Sequence, residues 1–430
     1  METVKRKFSG TKIVICASLY MFFSQGLIAS WVIPYSSYFP EYYNTDITVL
    51  SLGVSICTGM GFLTNLMAAP VIRKLQGRGC MALGAMLNII WPLLFACSTS
   101  LVTYFIAWFV IGLGLGFTAH AAVQHLIVQW FYDKRSSMIG LAMGAAWFGN
   151  AIFQFLIGVL LPRVGVSRSF IYLMIPSVLV SGLMAFMVRS KPEDIGQTAL
   201  GYENDPANTA GDMGNDAASE RSSGEKVSMK NLYNNPGFWL FLVVMVFFCI
   251  NCGAVTAYGT AFFPSVGLSF ETASLLVSVL NFVNSILVMF ALGPMIEKIG
   301  PKKTAIIAMG SALLCNIILL FQNGSTSTAL LALTVLFCAG GVCCNSLCHV
   351  MTPGLFGAKY STEADTKAMA VLSGSGVIVN PIYAALLSNI GFSGMWIFSA
   401  VADIVGILLI IVLFAVMQKH PIEDETEMTG

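Results

Sequence analysis

Charge is what this chain has least of. Asp, Glu, Lys and Arg make up 10% of its 430 residues and apolar residues 57%, whereas soluble domains carry about a quarter charged residues. A water-soluble fold is thereby excluded. The formal net charge is +1, which excludes a nucleic-acid partner, because a phosphate-binding surface needs a concentrated excess of Lys and Arg. No nucleotide-binding motif occurs in the loops, so neither an ATP-driven step nor a cofactor is expected. Gly112-x-Gly114-x-Gly116 lies inside an apolar run with no soluble strand before it and reads as close helix packing. The eleven cysteines all fall in or beside apolar runs, where a thiol packs as a small hydrophobe, and imply no disulfide framework. Cys343, Cys344, Cys348 and His349 come nearest to a metal set, but positions 343 and 348 diverge on a helix and no metal is expected.

Long apolar runs stand in place of charge. Runs of roughly 20 residues, enough to cross about 30 Å of hydrocarbon, fall near 13–35, 47–71, 80–98, 101–131, 136–161, 167–188, 237–263, 271–296, 304–321, 328–355, 367–388 and 394–417. They make twelve spans. The opening METVKRKFSGTK has the charge of a signal peptide, but its apolar run is longer than a signal core and no A-x-A site follows, so it reads as the first span. Between spans six and seven, SKPEDIGQTALGYENDPANTAGDMGNDAASERSSGEK is polar, acidic and rich in Gly and Ser. Such a segment cannot bury enough apolar area to offset its ordering entropy, and 190–235 is expected to be a flexible loop between bundles at 12–189 and 236–418. Loops on one side hold 20 of the 22 basic residues, and the other side holds Arg163 and Arg168. The positive-inside rule then puts both termini and the central loop in the cytoplasm of a plasma-membrane protein. No Lys or Arg lies within a span.

The two halves repeat. At an offset of about 224, Phe39-Pro40 matches Phe263-Pro264, Pro70-x-Ile72-x-Lys74 matches Pro294-x-Ile296-x-Lys298, and His125 matches His349. A drift to about 226 pairs Gly165-Val166-Ser167 with Gly391-Phe392-Ser393 and Gln154 with Asn380. Six spans repeated in parallel imply an all-α membrane protein of twelve transmembrane helices in two six-helix repeats. A site would lie between the repeats near the midplane.

The segment GPMIEKIGPKK at 293–303 closely matches the G-x-x-x-D/E-K/R-x-G-x-K/R-K/R signature, and on it the chain resembles the major facilitator superfamily. The glycine permits close helix approach, and Glu297 and Lys298 are placed to hold an inward gate. The first-half counterpart, PVIRKLQGRG at 70–79, departs from the signature, with Pro70 for the leading glycine and Lys74 for the acid. A narrower resemblance, to the oxalate/formate antiporter and monocarboxylate transporter branch, rests on QWFYDKRSSMIGLAMG at 129–144, NNPGFWLF at 234–241 and KPEDIG at 191–196. That branch implies an Arg in span eight and a Lys in span eleven for oxalate-type substrates, and alignment puts Met289 and Leu372 there. A dianion without a cation would be strongly disfavoured. The resemblance therefore implies a secondary active transporter rather than an enzyme, monomeric in the lipid bilayer. It would move a small organic solute, a monocarboxylate with a proton or by exchange. A neutral or zwitterionic solute is the alternative, and a transporter-like sensor a third.

The intramembrane ionisable residues are read as His120, His125, His349 and Asp403, with the other acids in loops or tails. In HAAVQHLIVQW at 120–130, His120 and Gln124 share a face roughly 10 to 16 Å from the end of span four and suit substrate contact. His120 is also the expected proton-coupling residue, since imidazole titrates near neutral pH. His125, about 140° away on the helix, pairs by symmetry with His349 as an inward gate. Asp403, on a peripheral span, reads as structural. The remaining solute contacts are expected from polar stripes on cavity helices: Gln25 in span one, Trp147, Asn150 and Gln154 in span five, Asn251 in span seven, Asn281 in span eight and Asn380 in span eleven.

Overall fold

The computed structural model of the chain describes residues 9–31, 39–45, 47–118, 120–200, 229–322 and 327–420. Among these, the structure is helical apart from short connections and one isolated bridge between Phe131 and Leu200. A bilayer demands helix of such a sequence, because without water each backbone N–H and C=O must be paired within its own segment. Eight described helices are long and apolar enough to cross a membrane. Two of them, Leu52–Ala96 and Arg135–Met187, contain non-helical breaks at Gln76 and Gly165 and supply two spans each. Pro236–Ser265 and the second arm of Thr328–Ile390, which breaks at Gly357, complete the twelve.

The repeat is visible in the backbone itself. Left-handed φ angles occur at Asn44 and Gly267, Gln76 and Gly300, Lys134 and Gly357, and Gly165 and Gly391, each pair 223 to 226 positions apart. Every pair marks the same connection in the two halves. The second half uses glycine throughout, which adopts this conformation without a Cβ penalty. In the first half the Gln76 side chain donates to the Arg73 carbonyl within its own turn. The Gln76–Gly300 equivalence also corrects the register of the two signature loops. Ala69, not Pro70, stands opposite Gly293, and Arg73, not Lys74, stands opposite Glu297.

Packing is asymmetric along the membrane normal. At the end bearing the basic loops, one apolar core runs through both halves, from Met81, Leu126 and Ile139 to Phe241, Met351 and Tyr360. At the opposite end each half has its own core. The first is built on Phe39, Trp91, Phe95, Tyr104, Trp108 and Phe170, and the second on Phe262, Tyr383, Met395 and Trp396. Large apolar side chains such as Leu179, Phe186, Phe290 and Ile378 are exposed on the outer surface, an area of grease that suits lipid and not water. Asp403 is fully buried in span twelve and accepts a hydrogen bond from Asn316 of span nine at 2.8 Å, so it ties two spans of one bundle together.

The 190–235 segment, expected to be a flexible loop, carries defined contacts at both ends. Leu200 donates its N–H to the Trp130 carbonyl at 3.0 Å and accepts from the Tyr132 and Asp133 N–H groups, while Gln197 accepts from the Ser9 N–H at 3.0 Å. The first residues after span six are thus stitched to the turn between spans four and five. Backbone pairing needs no apolar side chains, which is why composition gave no sign of it. At the far end Lys230–Asn234 is helical, and Asn235 caps span seven by accepting from the Gly237 N–H at 2.8 Å. The middle of the segment, 201–228, lies outside the described residues.

Candidate solute pathway and gate

Span four, Leu101–Trp130, is described as helix over Leu101–Phe117 and His120–Trp130. His120 is the first residue of the second piece. Its half-buried ring stacks on His349 of span ten, with centroids 4.9 Å apart and planes 10° from parallel. The contact crosses between the two halves. One turn further, Gln124 is fully buried and donates to the Thr352 hydroxyl at 2.7 Å and to the His349 carbonyl at 3.3 Å. His120 and Gln124 therefore meet the same residue of the opposite half, as the shared face requires.

His125 and His349 take separate partners. His125 Nδ1 lies 2.8 Å from the Thr362 hydroxyl of span eleven, and its Nε2 lies 3.4 Å from Gln76 Oε1. His349 Nδ1 lies 2.8 and 2.9 Å from the two oxygens of Asp365. Each histidine reaches the start of span eleven, not the other, His125 from across the halves and His349 from within its own.

Towards the basic end the contacts become ionic. Glu363, buried to 5% exposure, holds Arg73 of the first half at 3.0 Å and Lys367 at 3.4 Å, and it accepts a hydrogen bond from Tyr233 at 2.8 Å. Burial, then the hydrogen bond to and charge of Glu363, push the Tyr233 phenol above its ordinary range, so it stays a donor. The mirror contact lies at Glu297, whose carboxylate accepts from the Ser137 N–H at 2.9 Å and hydroxyl at 2.8 Å. Arg135–Met187 begins two residues before Ser137, so the carboxylate sits on the positive end of that helix. Lys298 is exposed in the last turn of Gly293–Ile299. In each half a charged residue at equivalent positions, Arg73 or Glu297, thus reaches the start of a helix in the other half.

Spans five and eight meet backbone to backbone. A Cβ on Gly144 would lie 2.2 Å from Met289 Cγ, 2.6 Å from its nitrogen and 2.8 Å from the Ser285 carbonyl, and one on Gly293 would lie 2.4 Å from Ser137 Cα. Span eight forms a π-helical turn over Leu287–Leu292 at this approach. Met289, where the branch resemblance implied an Arg, is packed against Gly144. Deeper along span five Trp147 donates to the Ser346 hydroxyl of span ten at 2.9 Å, and Gln154 accepts from Asn281 of span eight at 3.2 Å. Asn150, with its amide turned to donate, bonds the Ala146 and Gln25 carbonyls at 3.1 and 2.9 Å, which ties spans one and five within the first half. The side chains of Asn251 and Asn380 lie outside the described residues.

The reading of all acids except Asp403 as loop or tail residues is overturned by Glu363 and Asp365, the latter fully buried. The repeat could have found them. Span five begins at Arg135, and the same offset starts span eleven near Lys359, ahead of both acids. Cys348, His349 and Asp365 also form a group whose ligand-type atoms lie within 4.8 Å of one another. Their spacings, 2.8 Å from nitrogen to oxygen and 3.4 Å from Cys348 Sγ to the same oxygen, are those of hydrogen bonds converging on a carboxylate.

A family model described as Major Facilitator Superfamily matches residues 14–340 and 255–428. Among solved structures, the fold is similar to the proton:xylose symporter XylE bound to 6-bromo-6-deoxy-D-glucose and to a double-Trp XylE mutant. Each has a TM-score of 0.72 and 15% identity over 94% of this chain and 95% of that chain. No curated protein matches the sequence.

Proposed function

The chain belongs to the major facilitator superfamily, and from that premise we propose that it moves a small monocarboxylate together with a proton, or by exchange. Its family consists of secondary transporters and not enzymes. Transport proceeds by alternating access of a cavity between the bundles 12–189 and 236–418, with the basic end cytoplasmic in the plasma membrane. The observation that carries the reading is the asymmetry of packing: one core shared by both halves at the basic end and two separate cores at the other. That is the arrangement of a protein closed towards the cytoplasm. Gln124, His125, His349, Glu297 and Lys298 belong to the closed side.

A monoanion is favoured by what lines the pathway. Two imidazoles face each other across the halves, and among the described residues no Lys or Arg is buried. A second carboxylate on the solute would meet no cation. XylE is a precedent for proton coupling on this fold and, at 15% identity, says nothing of the solute. A neutral or zwitterionic solute is the second reading. It is favoured by buried amide atoms without a protein partner at Gln25 Nε2, Asn281 Oδ1 and Asn284 Nδ2, which suit an uncharged polar ligand.

The test is uptake into liposomes of labelled acetate, lactate and pyruvate, with and without an imposed pH gradient, by the wild type and His120→Gln. Glutamine keeps hydrogen bonding and cannot titrate. The wild type should accumulate at least one of these solutes when the gradient is imposed. The mutant should lose about tenfold of that accumulation while solute exchange at equal pH persists. Equal gradient-driven uptake by both proteins removes His120 from coupling, and uptake indifferent to the gradient in the wild type favours the neutral reading.

A further inference from the structure

Asp365 is a fully buried carboxylate in a chain that places almost no charge within its spans. It sits on span eleven, accepts from Cys348 and bonds His349 of span ten through both oxygens, so the pair belongs wholly to the second half. What covers it belongs to the first. The His120 ring lies flat on His349, and Gln124 is anchored to the His349 carbonyl and to Thr352. His349 is 2% exposed, while His120 is half-buried at the interface of the halves. In this closed state the His120 ring of the first half covers the His349 ring. Parting the halves at the basic end takes His120 and Gln124 away with the first half and leaves the His349–Asp365 pair intact, now facing cytoplasmic water.

We propose that His349 and Asp365 together form the proton-carrying site of this transporter, turned from cavity to cytoplasm by the movement of the gate that covers it. The proposal rests on the proton-coupled reading above and places the proton on the pair that His120 covers, so that His120→Gln would act by altering that cover. The step is one proton bound and released at His349 Nε2, while Nδ1–H stays donated to Asp365. When loaded, the pair is imidazolium and carboxylate with no net charge; when unloaded, it is neutral imidazole beside a carboxylate. A buried pair of zero net charge is far cheaper than a lone buried anion. The gate therefore closes readily over the loaded pair, and water entering on opening accommodates the unloaded one. The neighbouring titratable groups among the described residues are His120 from span four and Cys348 from span ten. Glu363 and Lys367 lie along span eleven, with Arg73 and Tyr233 beyond them.

The experiment compares Asp365→Asn, Asp365→Glu and His349→Gln with the wild type in the same liposomes, using the same labelled monocarboxylates. Asp365→Asn and His349→Gln should lose gradient-driven accumulation by about tenfold or more, and Asp365→Asn, which leaves the pathway-facing imidazole in place, should keep exchange at equal pH within about threefold. Asp365→Glu should recover at least half of the accumulation. Gradient-driven accumulation at the wild-type level in Asp365→Asn overturns the proposal. A second measurement needs no solute: purified protein held closed by a reducible crosslink between cysteines at 125 and 362 is released by reductant beside a pH indicator. The thiol chemistry is common to all samples, so the comparison isolates the pair. The wild-type background should release about one proton per molecule more than whichever of Asp365→Asn and His349→Gln folds. Equal release overturns the site even if monocarboxylate transport stands, and unequal release keeps the site even if no tested monocarboxylate is transported.

Discussion

Arg73→Glu should lower uptake about tenfold, and Glu363→Arg in the same chain should restore a large part of it. Glu363 is the anionic centre of the contacts at the basic end, bonding Arg73 of the first half, Lys367 of the second and Tyr233 of the segment between them. Removing one partner of a fully buried pair costs ~3–5 kcal/mol. The Arg73 side chain is 36% exposed, and solvent screening reduces the cost to about 1–2 kcal/mol. A change of that size shifts the closed-to-open ratio of the gate about tenfold. The substituted carboxylate adds repulsion where the two halves must meet, whereas a merely structural surface arginine would tolerate the change. Exchanging the two charges rebuilds the cross-half bond but leaves Tyr233 and Lys367 facing a cation, so recovery should be incomplete. Uptake rates of the two single mutants and the double mutant form the cycle that measures the coupling.

Gly144→Val should abolish uptake more completely. The position has no slack: the first atom of any side chain meets Met289 and the Ser285 carbonyl at 2.2 to 2.8 Å, and two of the three nearest atoms are backbone that cannot rotate aside. Overpacking of this kind costs ~1–3 kcal/mol even in adaptable cores. Gly144 and Met289 lie in different halves, so if the halves part here during transport the whole cost falls on the closed state. An effect on the order of ten- to a hundredfold on uptake follows, with the protein still folded and its inner face open to water-soluble reagents. Gly310→Val is the control, since a Cβ there meets nothing within 4 Å. Normal uptake by Gly144→Val would mean that spans five and eight need not approach this closely during transport.

Much of this architecture was legible in the sequence because the bilayer is an unforgiving solvent. Twelve apolar runs could become little other than helices, and the offset near 224 recurs in four matched left-handed connections. The interface between the halves was legible only in outline. His120, Gln124, Trp147, Gln154 and Asn281 were picked from polar stripes, and each reaches across to the other half or bonds a residue that does so. Their partners were hidden, because a stripe records which face is polar and not what lies opposite it. Asp365 and Glu363 were lost through a local criterion: hydropathy began span eleven only after them, although the helix already runs from the break at Gly357. The ends of the central loop were missed because backbone hydrogen bonds to Trp130 and Tyr132 leave no trace in composition.

The central claim is that the basic end of the molecule is a gate that must open for transport. His125 and Thr362 are the pair to lock, since their side chains lie 2.8 Å apart at Nδ1 and Oγ1 and come from opposite halves. Cysteines at these two positions, joined by a short reducible bifunctional thiol reagent, hold that end shut. Uptake into liposomes should stop when the crosslink forms and return when it is reduced, with neither single mutant affected by the reagent. Uptake that continues at the uncrosslinked rate in protein shown to be fully joined would contradict the account.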